Sequence, residues 1–307
     1  MNSNLSSVQA AALAQLTQHP VLASTNHAQS TLVANALQQL NQHCYPSSLY
    51  YAYNQRPELI KKLQELPEKL DISQTELVRL LILKLITGFS FQRIRLNLTN
   101  AIRDNYQRSV PRIYQKWIAE QSTEIISVND VLLKDIGLLT GALLPCAERV
   151  VEPFSAIQRA LVFNNGIAQG WRFIKALAAA KGNKPVCRLH IHLSEITSLT
   201  ASGWRLTCQQ LAELMLVNPQ LKGMVGACWF YDPAIATVSP KLAFISELLN
   251  DMQASWFYSH TEDEKSGAFS RSASRKQAFA NGSYMPKNYV VFIPRKRLLA
   301  WNKRQSS

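Results

Sequence analysis

The sequence predicts an α/β protein, α+β overall, with a helical N-terminal half followed by a mixed-sheet α/β domain. Three observations point there. From Arg56 to about Lys181 the apolar residues recur at the helical period. After "KGNKP" (181–185) the pattern changes to short β-branched and aromatic runs alternating with amphipathic stretches. The second of those runs, "LKGMVGACWFY" (221–231), is near-continuously apolar, which suits a strand buried on both faces.

The elements follow in order. Residues 1–55 carry no Lys, Arg, Asp or Glu and read as a flexible or partner-dependent arm, with weak helices near 7–17 and 29–42. Residues 56–181 read as a helical domain. Ser73 and Glu76 of "SQTE" form a capping box ahead of an apolar run that Gly88 can end. Further helices are expected at 90–105, 110–121, 128–144 and 154–180, with Pro145 and Pro153 as punctuation. Residues 182–307 read as the α/β domain. Strands are expected at 186–196, 221–231, 255–260 and 288–296. Helices are expected at 201–217, 239–250 and 271–281, the middle one opened by Ser239 and Pro240.

Composition narrows the partners. The chain of 307 residues is 47% hydrophobic, enough for a proper core, and its formal net charge is +13. Such an excess favours anionic partners: nucleic acid, acidic headgroups or phosphorylated ligands. Residues 265–307 hold ten Lys or Arg and no acid, interleaved with aromatics as in single-strand binders. A second basic stretch, 91–117, sets Arg93, Arg95, Arg103, Arg108, Arg112 and Lys116 against Asp104. Five scattered cysteines without a Cys-x-x-Cys pair argue against a disulfide framework and a zinc ribbon. The most apolar window, "LVRLLILKLI", is too short to span a bilayer, and no targeting segment stands out. A bacterial, cytoplasmic protein without a membrane span is expected.

Four places carry candidate chemistry. In "LHIHLSE", His190 and His192 share one strand face, a spacing at which two imidazoles meet one ion if His260 or Asp232 completes the set. Cys228 stands in apolar surroundings that disfavour a thiolate. Tyr231 and Asp232, at the end of the second strand, lie where open α/β sheets bind ligands. In "SRSASRKQAF", Ser272 or Ser274 caps a helix whose N-terminus, with Arg271, Arg275 and Lys276, suits an anion.

The order strand 186–196, helix 201–217, strand 221–231, helix 239–250 resembles the GNAT N-acetyltransferase architecture. Gln220 and Gly223 of "QLKGMV" match the start of that family's Gln/Arg-x-x-Gly-x-Gly/Ala loop, with Val225 where the family has a small residue. The strings "WFYDP", "SRKQAF" and "PRK" are also similar to those of a family of bacterial proteins. The GNAT resemblance implies an acyl-coenzyme A held between splayed strands, with a helix N-terminus on its pyrophosphate.

The leading expectation is an N-acyltransferase-like protein using a phosphate-bearing acyl donor such as acyl-coenzyme A, with no metal. The backbone at Gly226–Tyr231 would polarise the thioester. Tyr231, Asp232, His190 or His192 would serve as acid or base, and Arg271, Ser274, Arg275 and Lys276 would bind phosphates. Two alternatives stand beside it. One is a nucleic-acid or protein-binding module using the basic C-terminal face; the other is a metal-dependent enzyme built on His190 and His192.

Overall fold

The computed structural model describes residues 4–19, 27–40, 57–120, 128–194, 200–269 and 272–305. Among these are twelve α-helices and one six-stranded mixed sheet in the order β1-β2-β3-β4-β6-β5. The fold is α/β, as the pattern of runs predicts. The chain divides into two compact units: residues 1–152 with 191–197, and residues 153–190 with 198–307.

The first unit contains α1 (Leu5–Thr17), α2 (His27–Leu40), α3 (Pro57–Leu70), α4 (Gln74–Thr87), α5 (Asn100–Tyr114), α6 (Asp130–Thr140), β1 (Leu144–Cys146) and the start of β2 (Arg149–Ser155). Helix α4 forms its core, with eight apolar residues buried from Leu77 to Ile86. Its capping box is made: Glu76 donates its N–H to Ser73 Oγ at 3.1 Å, and Ser73 donates its N–H to the Glu76 carboxylate at 2.9 Å. The uncharged α1 docks through Leu5, Val8 and Ala12, and the Gln9 amide donates to the carbonyls of Ile86 and Phe89.

Three expected helices take other forms. In place of helices at 90–105 and 110–121, a 3-10 turn at Phe91–Arg93 precedes a single α5, capped by Thr99 and closed by a π-turn. Helix α6 stops at Gly141, whose φ of 73° no other residue adopts cheaply; a Cβ there would also meet Ile94 at 2.9 Å. The expected helix at 154–180 is a strand followed by a shorter helix. Residues Leu144–Ser155 turn back as the β1–β2 hairpin, with Cys146 opposite Arg149. Pro145 and Pro153 therefore sit in strands, compatible with their fixed φ.

The second unit holds α7 (Gly166–Ala180), β3 (Val186–Ile191), α8 (Ala201–Val217), β4 (Gly223–Cys228), the short α9 (Ile235–Val238), α10 (Ala243–Asp251), β5 (Ser255–Thr261), α11 (Ala273–Ala280), β6 (Lys287–Pro294) and α12 (Arg295–Gln305). Strands β3 and β4 are parallel and joined by α8, while β6 runs antiparallel to both β4 and β5. Helix α7 packs on one face through Phe173 and Ala176, against Val186, Val225, Phe257, Val290 and Phe292. Trp204 and Trp301 are fully buried, and the Trp301 indole donates to Asp251 at 2.7 Å. Helix α12 lies where the sequence suggests only the end of a strand. Five of its eleven residues are basic, and Leu298 and Trp301 alone carry its buried stripe.

Candidate functional site

Strands β3 and β4 pair only at Cys187–Met224 and Arg188–Val225. Beyond Val225, β4 keeps its bonds to β6 as far as Cys228–Tyr289. At Gly226 and Ala227, the side of β4 that faced β3 therefore pairs with no strand among the described residues, although β4 is an inner strand of the sheet. Buried backbone polar groups are almost always paired, so such a gap persists where water or a ligand reaches it. Ala227 is exposed there, in the middle of a sheet.

Alternation fixes which side chains border the gap. Val225 belongs to the face covered by α7, and so does Ala227. Arg188 pairs with Val225, so His190, two residues on, lies on that same face, opposite Ala227 in register. Cys228 points to the other face. The strands thus cannot form a Cys228–His190 dyad, and the neighbouring Cys187 thiol is pushed up to about 12 by burial.

The residues after Cys228 make a packed corner. Trp229–Tyr231 form a 3-10 turn, with Phe230 and Tyr231 buried against Trp204. A Cβ on Gly226 would lie 2.4 Å from the Tyr231 hydroxyl, so only glycine admits that ring. Asp232 is buried, and its carboxylate accepts the N–H groups of Ala234 at 3.0 Å and Lys287 at 3.3 Å.

Next to this corner lies a group of side chains from distant segments. Arg275, buried, donates from Nε to the Ala268 carbonyl at 2.6 Å and from Nη1 to Ser239 Oγ at 2.9 Å. Its guanidinium lies 4.6 Å from the centre of the Trp229 ring. Burial lowers its pKa, yet among the described residues no carboxylate pairs with it. Tyr284 is buried too, and among the described residues its hydroxyl meets no hydrogen-bond partner. Burial first, then the negative charge of Asp232, pushes that phenol up to about 12. Tyr289 is raised for the same two reasons. A buried cation without a counter-charge and a buried donor without an acceptor both fit an anionic or oxygen-rich ligand.

No protein-family model matches the chain, and a search of curated proteins finds no match. Among solved structures, the chain is similar to the crystal structure of an acyltransferase in complex with decanoyl-CoA. The identity is 12% and the TM-score 0.40, over 89% of this chain and 81% of that one. At those values the likeness carries no argument about activity.

The structure brings together Tyr231, Asp232 and Arg275 of the sequence candidates. Ser274 and Lys276 are exposed on other sides of α11, whose N-cap is Ser272, and Arg271 lies outside the described residues. His192 is elsewhere, in the first unit and fully buried. Its Nδ1 lies 3.1 Å from the Ser194 N–H, and its Nε2 lies 2.9 Å from the Asp135 carboxylate. Asp135 also accepts from Arg112 at 2.6 Å and from the Trp117 indole at 2.6 Å. Burial raises the Asp135 pKa, but the His192 and Arg112 bonds and charges more than offset this and hold it below the usual range. Lys134 adds a bond to the Ile191 carbonyl at 2.6 Å, so residues 191–194 are tied to α6. A satisfied buried network of this kind rigidifies the segments it joins. Among the described residues, no three His, Cys, Asp or Glu side chains gather as metal ligands.

Sequence reading missed Trp229 and Ser239 as partners of Arg275, and Tyr284 as a buried donor near it. The signals present were the aromatic run ending at Tyr231 and the tyrosine of "GSY" after α11, but nothing local joins them. The basic C-terminal stretch is partly spent on structure: Arg295 donates to the Met215 carbonyl, Arg297 to Gln253, and Arg304 to Asp251. No helix among the described residues is long and apolar enough to cross a membrane.

Proposed function

We propose that the unit of residues 153–190 and 198–307 is an N-acyltransferase-like domain, with an acyl thioester such as acyl-coenzyme A lying in the gap between β3 and β4. The observation that carries this reading is the parting of two parallel strands beyond Val225, with Ala227 exposed at the centre of the sheet. The edge of β4 at Gly226 and Ala227, past the last pair with β3, offers backbone amides to a thioester carbonyl, whose oxygen gains charge in the transition state. Arg275 supplies a cation, and Tyr284 a neutral donor, for the anionic parts of the donor molecule. In the transfer, an amine nitrogen bonds to the acyl carbon as the carbon–sulfur bond breaks. His190, on the strand face that borders the gap, takes the amine's proton, and the thiolate leaves.

The test fills the gap. Ala227→Trp is expected to weaken acyl-coenzyme A binding by about tenfold or more in isothermal titration, because the indole occupies the donor's place, while the melting temperature stays within a few degrees. Wild-type protein that binds none of a series from acetyl- to palmitoyl-coenzyme A would sink the reading, and so would an Ala227→Trp variant of unchanged affinity.

A further inference from the structure

Helix α7 carries two apolar stripes. One, with Phe173, Ala176 and Ala180, is buried on the sheet. The other is open to solvent: Ile167, Trp171 and Ile174 are 82%, 61% and 51% exposed, and Phe163, just before the helix, is 85% exposed. Their spacings of four, four and three residues set them along one side of the helix. Exposed single hydrophobics are ordinary, but three large ones along one side of a helix, with a fourth just before it, are not.

The charge around that stripe has one sign. From Pro153 to Ser194 the sequence has no Asp or Glu, while Arg159, Arg172, Lys175, Lys181 and Lys184 are all exposed. Arg172 and Lys175 lie on the helix itself, along one edge of the apolar stripe. An amphipathic helix with aromatic and aliphatic residues on one side and Lys or Arg beside them is the arrangement that lies in the plane of a bilayer interface, with tryptophan at headgroup level. A second copy of this chain would bring another strongly basic surface to the stripe, since the net charge is +13.

We infer that the exposed side of α7, from Phe163 to Ile174, docks the protein reversibly on an anionic lipid surface, with Ile167 and Trp171 entering the interface and Arg172 and Lys175 meeting headgroup phosphates. This stands on the helix alone and does not depend on the acyl-transfer reading.

The full chain is sedimented with vesicles of phosphatidylcholine and with vesicles containing about one-third phosphatidylglycerol. Binding is expected to the second only and to weaken as salt rises. Arg172→Gln/Lys175→Gln should reduce the partition constant about tenfold or more, at roughly a few-fold to tenfold per cation. Ile167→Ser/Trp171→Ser should reduce it at least as much, with an unchanged circular dichroism spectrum. Absence of binding to anionic vesicles at physiological salt would overturn the inference, as would either double variant binding like the wild type. Light scattering that shows a dimer broken by Ile167→Ser/Trp171→Ser would assign the stripe to a second copy and also overturn it.

Discussion

Replacing Asp135 by alanine tests the reading of the first unit. The carboxylate is fully buried and accepts from Arg112, the Trp117 indole and His192. Its removal leaves three donors in the interior, each costing about 1–3 kcal/mol if unsatisfied. These costs do not simply add, since Arg112 is partly exposed and can turn to water. The measured cost of breaking a buried ion pair, about 3–5 kcal/mol, is the better guide, and about 4 kcal/mol is expected. Urea unfolding at pH 7 reads this as a fall in the midpoint, and hydrogen exchange should localise the lost protection to α6 and residues 191–194. Asp135→Asn isolates the charge. Because the folded pKa is depressed, the stability that the carboxylate contributes is fully present above its unfolded value near about 4 and is lost as pH falls through the lower folded value. The difference between wild type and Asp135→Asn should therefore be steady from pH 5 to 8 and shrink in more acid solution. A loss under about 1 kcal/mol for Asp135→Ala, or a difference that grows on acidification, would refute the reasoning.

Two further perturbations address the second unit. Gly226→Ala puts a methyl group 2.4 Å from the Tyr231 hydroxyl and should cost roughly 1–3 kcal/mol in chemical denaturation. Tyr231→Phe, which removes the nearest atom, should recover part of that loss; equal destabilisation by the double variant would show that the clash lies elsewhere. Tyr284→Phe should leave the ligand-free protein as stable as wild type or slightly more so, because the lost hydroxyl has no hydrogen-bond partner among the described residues, yet it should weaken binding of the donor. The same phenol, pushed up to about 12, resists ionising in the folded state, so wild-type stability falls as pH rises above the unfolded value of about 10; alkaline unfolding curves of Tyr284→Phe should lack that decline.

The legibility of the chain varies with the range of the interaction. The Ser73–Glu76 box, the strands at 186–191 and 223–228 and the helix Ala201–Val217 were open to reading because period, caps and turn residues are local. The β1–β2 hairpin was hidden, since three- and seven-residue strands beside Pro145 and Pro153 resemble helix ends. Helix α12 was hidden by its charge, with only Leu298 and Trp301 to mark an inner side. Of the site, Asp232 and Arg275 were found through turn and cap signals that have structural causes of their own.

The sequence by itself determined the α/β class, the order of most elements and the one-signed charge of residues 153–194 and 265–307. Tertiary structure alone decided the pairings. It put His192 on Asp135, fifty-seven residues away. It set Arg275 on Ser239 and Trp229, left the Tyr284 hydroxyl without a hydrogen-bond partner among the described residues, and parted β3 from β4 after two residue pairs. The physical reason is that backbone periodicity is written in neighbouring residues. A buried charge or an open strand edge depends on which distant groups the folded chain brings to it, or fails to bring.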